Sequence, residues 1–252
     1  MPTPVRVLLP VDGYHQQSWD FALGYAEQIN EARSAEKTVL LLHQKNILDH
    51  STLAGMMHPS HKKALLKNQA LNLPSGAKLV LHTMQNIPRI LNNATVIVFY
   101  ADDRILELVD GIKNLAGVVV VPDVLGEIEQ WKARWNPQVP GEKSQAPKQI
   151  IDDPVVEQAL ISLTSLVNTG NGVMVSRDKE WAKDVLSILR AKGHSEDAGH
   201  IKSWAIKNGW QPKAATELAA LAKKIFERRT KPSLANIANA HERYQRWCDG
   251  ED

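Results

Sequence analysis

Cysteine is almost missing from this sequence. Cys248 is the only one among 252 residues, so neither an internal disulfide nor a thiolate metal cluster can form within one chain, and a reducing cytoplasm fits best. Long apolar runs are missing too. None approaches the roughly 20 residues needed to cross a bilayer, and the opening MPTPVRV lacks the basic start and apolar core of an export signal. Net charge is close to absent, at a formal +2, so any claim of a polyanionic partner has to rest on where the charges sit. Also absent are a Gly-x-Ser-x-Gly elbow, a Walker loop, a Gly-x-Gly-x-x-Gly turn and a His-Glu-x-x-His helix. These gaps argue for a non-enzymatic cytoplasmic protein without membrane contact.

What is present is ordinary in amount and uneven in arrangement. An apolar share of 43% and a charged share of 23% suit a globular protein, and the length suits two modest domains. The first half contains short, wholly apolar runs: VRVLLPVDG from Val5 to Gly13, Thr38 to His43, Lys78 to His82, Thr95 to Tyr100 and Gly117 to Val121. Between and after them, helical spacing recurs over Ser18 to Ile29, Arg104 to Leu115 and Leu125 to Trp135. Strands that are apolar throughout and alternate with helices predict an α/β domain over residues 1–135, a doubly wound, mostly parallel five-stranded sheet of Rossmann-like kind. VRVLLPVDG reads as its central strand, and the ligand crevice is expected where the first and fourth strands end. Residues 44–77 suggest one or two short helices and a mobile loop.

NPQVPGEKSQAP, from Asn136 to Pro147, concentrates proline, glycine and polar residues, and residues 136–150 read as an exposed linker. Beyond it, residues 151–252 read as an all-α domain, with helical spacing over Pro154 to Val167, Asp178 to Lys192, Glu196 to Asn208, Pro212 to Arg229 and Leu234 to Trp247. Asn208-Gly209 ends one helix and Pro212 opens the next, predicting a helix-turn-helix-like hairpin. Ile201, Trp204, Ala205 and Trp210 would pack against Ala214, Leu218, Leu221 and Ile225.

Candidate sites follow from this layout. Asp12, Gly13 and Tyr14 follow the first strand, Asp102 and Asp103 the fourth, and Asp123 the fifth, so all would line the crevice and could meet a small ligand of undetermined identity. Clustered strand-end carboxylates can also hold magnesium for phosphodiester chemistry, and Asp12, Asp102 and Asp123 would be that set. Asp is equally a favoured helix cap. His50, His58 and His61 read as exposed loop histidines. In the last domain Lys213, Lys223, Lys224, Arg228, Arg229 and Lys231 face only Glu217 and Glu227, a locally basic surface suited to phosphates. On that surface Lys213 and Thr216 would approach bases or backbone, and Lys223, Lys224, Arg228 and Arg229 would contact phosphate. A protein partner or self-association is the competing expectation.

Two resemblances add to this reading. RVLLPVDGYHQQSWDFALGYAEQI resembles the start of the universal stress protein family, which implies a nucleotide-side role for Asp12 and Gly13; the family's glycine-rich phosphate loop has no counterpart after Tyr100. HIKSWAIKNGWQPKAATELAALAKKI resembles the small DNA-binding domain of actinobacterial nucleoid silencers through Ile201, Trp204, Ala205, Gly209 and Trp210. That likeness implies DNA binding, although Gln211-Pro212-Lys213 stands where the family carries its groove-entering Arg-Gly-Arg. Together the expectations are of a bacterial accessory or regulatory protein. An α/β ligand- or partner-binding domain would be joined to a basic module for DNA or protein, with a universal-stress-like nucleotide binder as the alternative.

Overall fold

A computed structural model describes residues 3–143, 146 and 149–250 of the chain. Two compact units emerge, Met1–Pro147 and Lys148–Asp252.

The first unit is an α/β fold with a six-stranded, mostly parallel sheet. Its strands are β1 (Val5–Leu8), β2 (Lys37–Leu42), β3 (Leu71–Asn72), β4 (Lys78–Thr83), β5 (Ile90–Ala101) and β6 (Lys113–Pro122), in the order β1-β6-β5-β2-β4-β3. All pairings are parallel except β3 with β4. The five expected runs are all strands; the sixth, β3, is a two-residue antiparallel addition from the segment 44–77. That segment also supplies three short helices, α2 (Ile47–His50), α3 (Thr52–Met56) and α4 (Pro59–Leu66), more order than the one or two helices and mobile loop expected of it.

Alternation along each strand divides two cores. Val7, Leu40, Leu42, Ile97, Phe99, Val119 and Val121 pack with Trp19, Ala22, Ala26 and Ile29 of α1 (Ser18–Arg33) and with Leu48, Leu53 and Leu65 of the short helices. On the other face Val39, Leu41, Val96, Val98, Val118 and Val120 meet Ile105, Leu106 and Val109 of α5 (Asp103–Asp110), and Trp131 of α6 (Glu129–Trp135). Burial on both faces is why these strands read as unbroken apolar runs. A Cβ at Gly117 would lie 2.8 Å from the Ile29 side chain, so the glycine lets α1 settle closely over β6.

Two expectations about β1 are corrected. It is an edge strand paired only with β6, not the central strand, and it does not adjoin β5, so no crevice forms between those two strands. An apolar run reports burial, and here Val7 and Leu8 of an edge strand are buried like a central strand while Val5 and Arg6 are only partly covered. Nor is the predicted linker wholly free. Val7 and Gln138 form a parallel bridge, with Leu8 N–H donating to the Gln138 carbonyl at 2.8 Å and Gln138 N–H to the Arg6 carbonyl at 2.9 Å. This covers the outer edge of β1 where hydrogen-bonding groups would otherwise be open to another chain.

The second unit is helical: α7 (Pro154–Leu166), α8 (Ser176–Lys192), α9 (Ala198–Lys207), α10 (Pro212–Phe226) and α11 (Ala240–Asp249). Asp153 caps α7 by accepting from the Val155 and Val156 N–H groups, and Asp197 caps α9 in the same way. Residues 208–211 join α9 to α10, with Gly209 at a φ of 88° that suits glycine. Of the expected hairpin core all but Leu221 is buried; Leu221 is half-buried.

Candidate functional site

In an open parallel sheet, ligands bind where neighbouring strands send their following segments to opposite faces. Two such places exist here. The chain leaves β2 towards α2–α4 and leaves the adjacent β5 towards α5, across the sheet; likewise β1 leads to α1, and its neighbour β6 to α6 on the other side.

At the first place His43 Nε2 lies 3.1 Å from Asp102 Oδ1, both partly exposed. The same Asp102 oxygen accepts from the Ile105 N–H and so caps α5. Partial burial pushes the Asp102 carboxyl up, but the Ile105 hydrogen bond and the hydrogen bond and charge of His43 outweigh it and hold the group below its ordinary range. Asp103 is exposed in the first turn of α5, where it complements the helix dipole.

At the second place Tyr14 donates its hydroxyl to Asp123 Oδ1 at 2.9 Å, and that bond is the main reason the Tyr14 phenol is raised. Asp12 Oδ1 accepts from the N–H groups of Tyr14 and His15, forming the turn into α1. Gly13 is buried against the ring of Tyr100, which Tyr14 also meets at a tilt of 49° with centroids 5.5 Å apart. Tyr100 connects the two places. Its φ is 58°, unusual for a large side chain, and its hydroxyl is held by Thr52 Oγ1 at 2.7 Å and by the Leu53 N–H at 3.1 Å. The structure thus gathers Asp12, Gly13, Tyr14 and Asp123 where β1 and β6 end and sets Asp102 beside His43 where β2 and β5 end. Each of the three aspartates expected as a magnesium set already accepts hydrogen bonds. Among the described residues no group of three or more His, Cys, Asp or Glu side chains is arranged to hold a metal ion.

Sequence reasoning did not find His43, Tyr100 or Thr52. His43 ends an apolar run, a position shared by many unremarkable residues. It also missed a buried charged knot on the far face. Asp110, at the end of α5, accepts from Trp131 Nε1 at 3.2 Å and Trp135 Nε1 at 2.8 Å, and pairs with Arg134 Nη1. Arg6 stacks its guanidinium 3.4 Å from the Trp135 ring centre. Burial lowers Arg6 to about 10 against the opposing charge of Asp110, while burial raises Asp110 against the pull of Arg134 and Arg6. The signal for it in the sequence was Trp131, Arg134 and Trp135 on neighbouring turns of one helix.

The helical unit places the other predicted residues. Lys213, Thr216, Lys223 and Lys224 are exposed on one face of α10, and Arg228 and Arg229 are exposed just beyond its end. Thr216 Oγ1 donates back to the Pro212 carbonyl at 2.9 Å. Glu217, on the same face, is engaged by Lys179 of α8 at 3.0 Å, and Lys179, Lys183 and Lys224 share the lining of one cavity between α8 and α10. The Arg228 carbonyl accepts from Arg190 Nη2 at 2.8 Å. Lys179 and Lys183 of α8 therefore add cations beside a face that sequence spacing had confined to one helix, with Glu180 between them in sequence and lining the same cavity.

The chain therefore combines a doubly wound α/β unit, whose connections part to opposite faces at two strand-end places, with a helical unit presenting a basic face. Residues 152–248, within the helical unit, match the model of a family described as a domain of unknown function, DUF1889. No curated protein and no solved structure gives a significant match.

Proposed function

We propose that the chain is a non-enzymatic accessory or regulatory protein. In this reading its helical unit binds nucleic acid through the exposed face of α10, and its α/β unit receives a small ligand or a protein partner at the strand ends. The observation that carries the proposal is the gathering of Lys213, Lys223, Lys224, Arg228 and Arg229 on exposed positions of one helix and its end, extended by Lys179 and Lys183. Glu217 of α10 is already drawn towards Lys179, and Glu180 is the other carboxylate lining the cavity between α8 and α10.

The α9–α10 hairpin would act as a helix-turn-helix, α10 lying along the duplex with Lys213 and Thr216 near bases or backbone and the later cations on phosphates. The nucleoid-silencer likeness supports this through Ile201, Trp204, Ala205 and Trp210, which form the buried side of the hairpin. The universal-stress nucleotide alternative has less support, because the strand carrying its resemblance lies at the sheet edge. A magnesium phosphodiesterase has less again, since Asp12 and Asp102 serve as turn and helix caps.

Fluorescence anisotropy of the full chain with a labelled duplex tests the reading. Binding at about 50 mM salt that weakens steeply by about 200 mM supports it. Absence of binding at the lower salt would refute it and leave a protein partner as the occupant of the face.

A further inference from the structure

The helical unit holds a second cavity, of about 380 Å³, between α7, α8 and α11. Its volume falls within the range that small-molecule sites occupy. Trp181 of α8 and Trp247 of α11 give it aromatic walls, and Arg243 and Arg246, both on α11, supply positive charge. Arg243 lies over the Trp247 ring, 5.7 Å from its centre, and Arg177 lies 4.9 Å from the ring centre of Trp181.

Neither arginine in the lining is ion-paired to a described residue. Among the described residues neither has a carboxylate within 4.0 Å. Arg243 is half-buried, and its guanidinium is lowered from its ordinary value first by that burial and then by the neighbouring Arg246, with Asp184 opposing. Holding a cation partly out of water without a paired anion is costly, and a bound anion would relieve it. From α7 the lining takes Ser162 and Ser165; the Ser165 hydroxyl donates to the Ser162 carbonyl, while the Ser162 hydroxyl makes no bond to any described residue. Leu166, which also lines the cavity, is a large apolar side chain left 45% exposed.

We propose that this cavity is a binding site for a small organic anion with an aromatic body, its ring seated between Trp181 and Trp247 and its carboxylate on Arg243 and Arg246. The charge-assisted, bidentate geometry that arginine offers a carboxylate would orient the ligand, and the two indole faces would favour a planar ring. The site is separate from the α10 face and does not depend on the nucleic-acid reading.

Calorimetric titration of the full chain with indole-3-acetate tests the proposal, with indole-3-ethanol as the uncharged analogue and acetate as the ringless one. Expected is binding of indole-3-acetate at up to about 5 mM ligand, at least about tenfold tighter than either analogue. Arg246→Gln, an exposed change that should leave the melting temperature unaltered, is expected to weaken it by about tenfold, and Trp181→Ala to weaken it as well. Equal binding of the alcohol, no effect of Arg246→Gln, or no binding of indole-3-acetate in that range would each overturn the proposal.

Discussion

Gly13→Ala tests whether the packing of Gly13 against Tyr100 is as tight as its geometry says. An added Cβ would stand 2.4 and 2.5 Å from two ring carbons of Tyr100 and 3.3 Å from Phe99. Carbon atoms pack at about 3.5–4.0 Å, so the tyrosine ring must retreat by about 1 Å or more. It is poorly placed to do so, because its hydroxyl is pinned by Thr52 and the Leu53 N–H and its backbone sits at a positive φ. Overpacking costs about 1–3 kcal/mol, and loosening those hydrogen bonds costs about 1 kcal/mol each. The expected total is about 3–5 kcal/mol. Amide hydrogen exchange at the central residues of β5 reads the opening free energy of the α/β unit without interference from the helical one. In a Tyr100→Ala background the clash is removed, and the same Gly13→Ala change should cost less than about 1 kcal/mol. Equal costs in the two backgrounds would show that the packing of Tyr100 on Gly13 is not what demands glycine.

Asp110→Ala should destabilise the α/β unit by about 3–5 kcal/mol, because it removes the anion from buried Arg134 and from partly buried Arg6; urea denaturation checks this, and a loss below about 1 kcal/mol would contradict it. Asp153 is held below its ordinary range: burial pushes it up, but the hydrogen bond and charge of His194, at 2.6 Å, and the Val155 and Val156 N–H groups outweigh that. A carboxylate lowered in the folded state contributes stability that is fully present above its unfolded value of about 3.9 and is lost as pH falls through the lower folded value. Thermal melts of wild type and Asp153→Asn should therefore differ more at about pH 5 than below about pH 4, and a gap that stays constant across that window would count against this.

Element type was far more legible in the sequence than arrangement. The opening apolar run and its four successors all became strands, since continuous Val, Leu and Ile runs broken by helical segments admit few other solutions. Their order was not legible. Nothing in VRVLLPVDG distinguishes a central strand from an edge strand covered by α1 on one side and bordered by Gln138. Helix ends drifted for identifiable reasons. The spacing over Arg104 to Leu115 suggested one helix, but α5 stops at Asp110, whose carboxylate is committed to Arg134 and two indoles, and the chain re-enters the sheet at Lys113. In the helical unit the segment before Ala240 carries apolar residues at helical spacing without forming a helix. Candidate site residues were found where a chemical type recurred at strand ends, as with Asp12, Asp102 and Asp123. Their surroundings were not found, because His43 reaches Asp102, and Tyr100 and Thr52 reach Gly13 and Tyr14, only through tertiary packing.

The proposal of nucleic-acid binding turns on the cations of α10, and salt dependence measures them most directly. Affinity of the full chain for one duplex, measured across a salt series, is compared with that of Lys223→Gln/Lys224→Gln, two exposed changes that should leave the fold intact. Each phosphate left without its lysine should reduce the slope of log affinity against log salt by about 1, so the double variant should bind more weakly with a slope smaller by about 2. An unchanged slope and affinity would mean that this face does not meet phosphates.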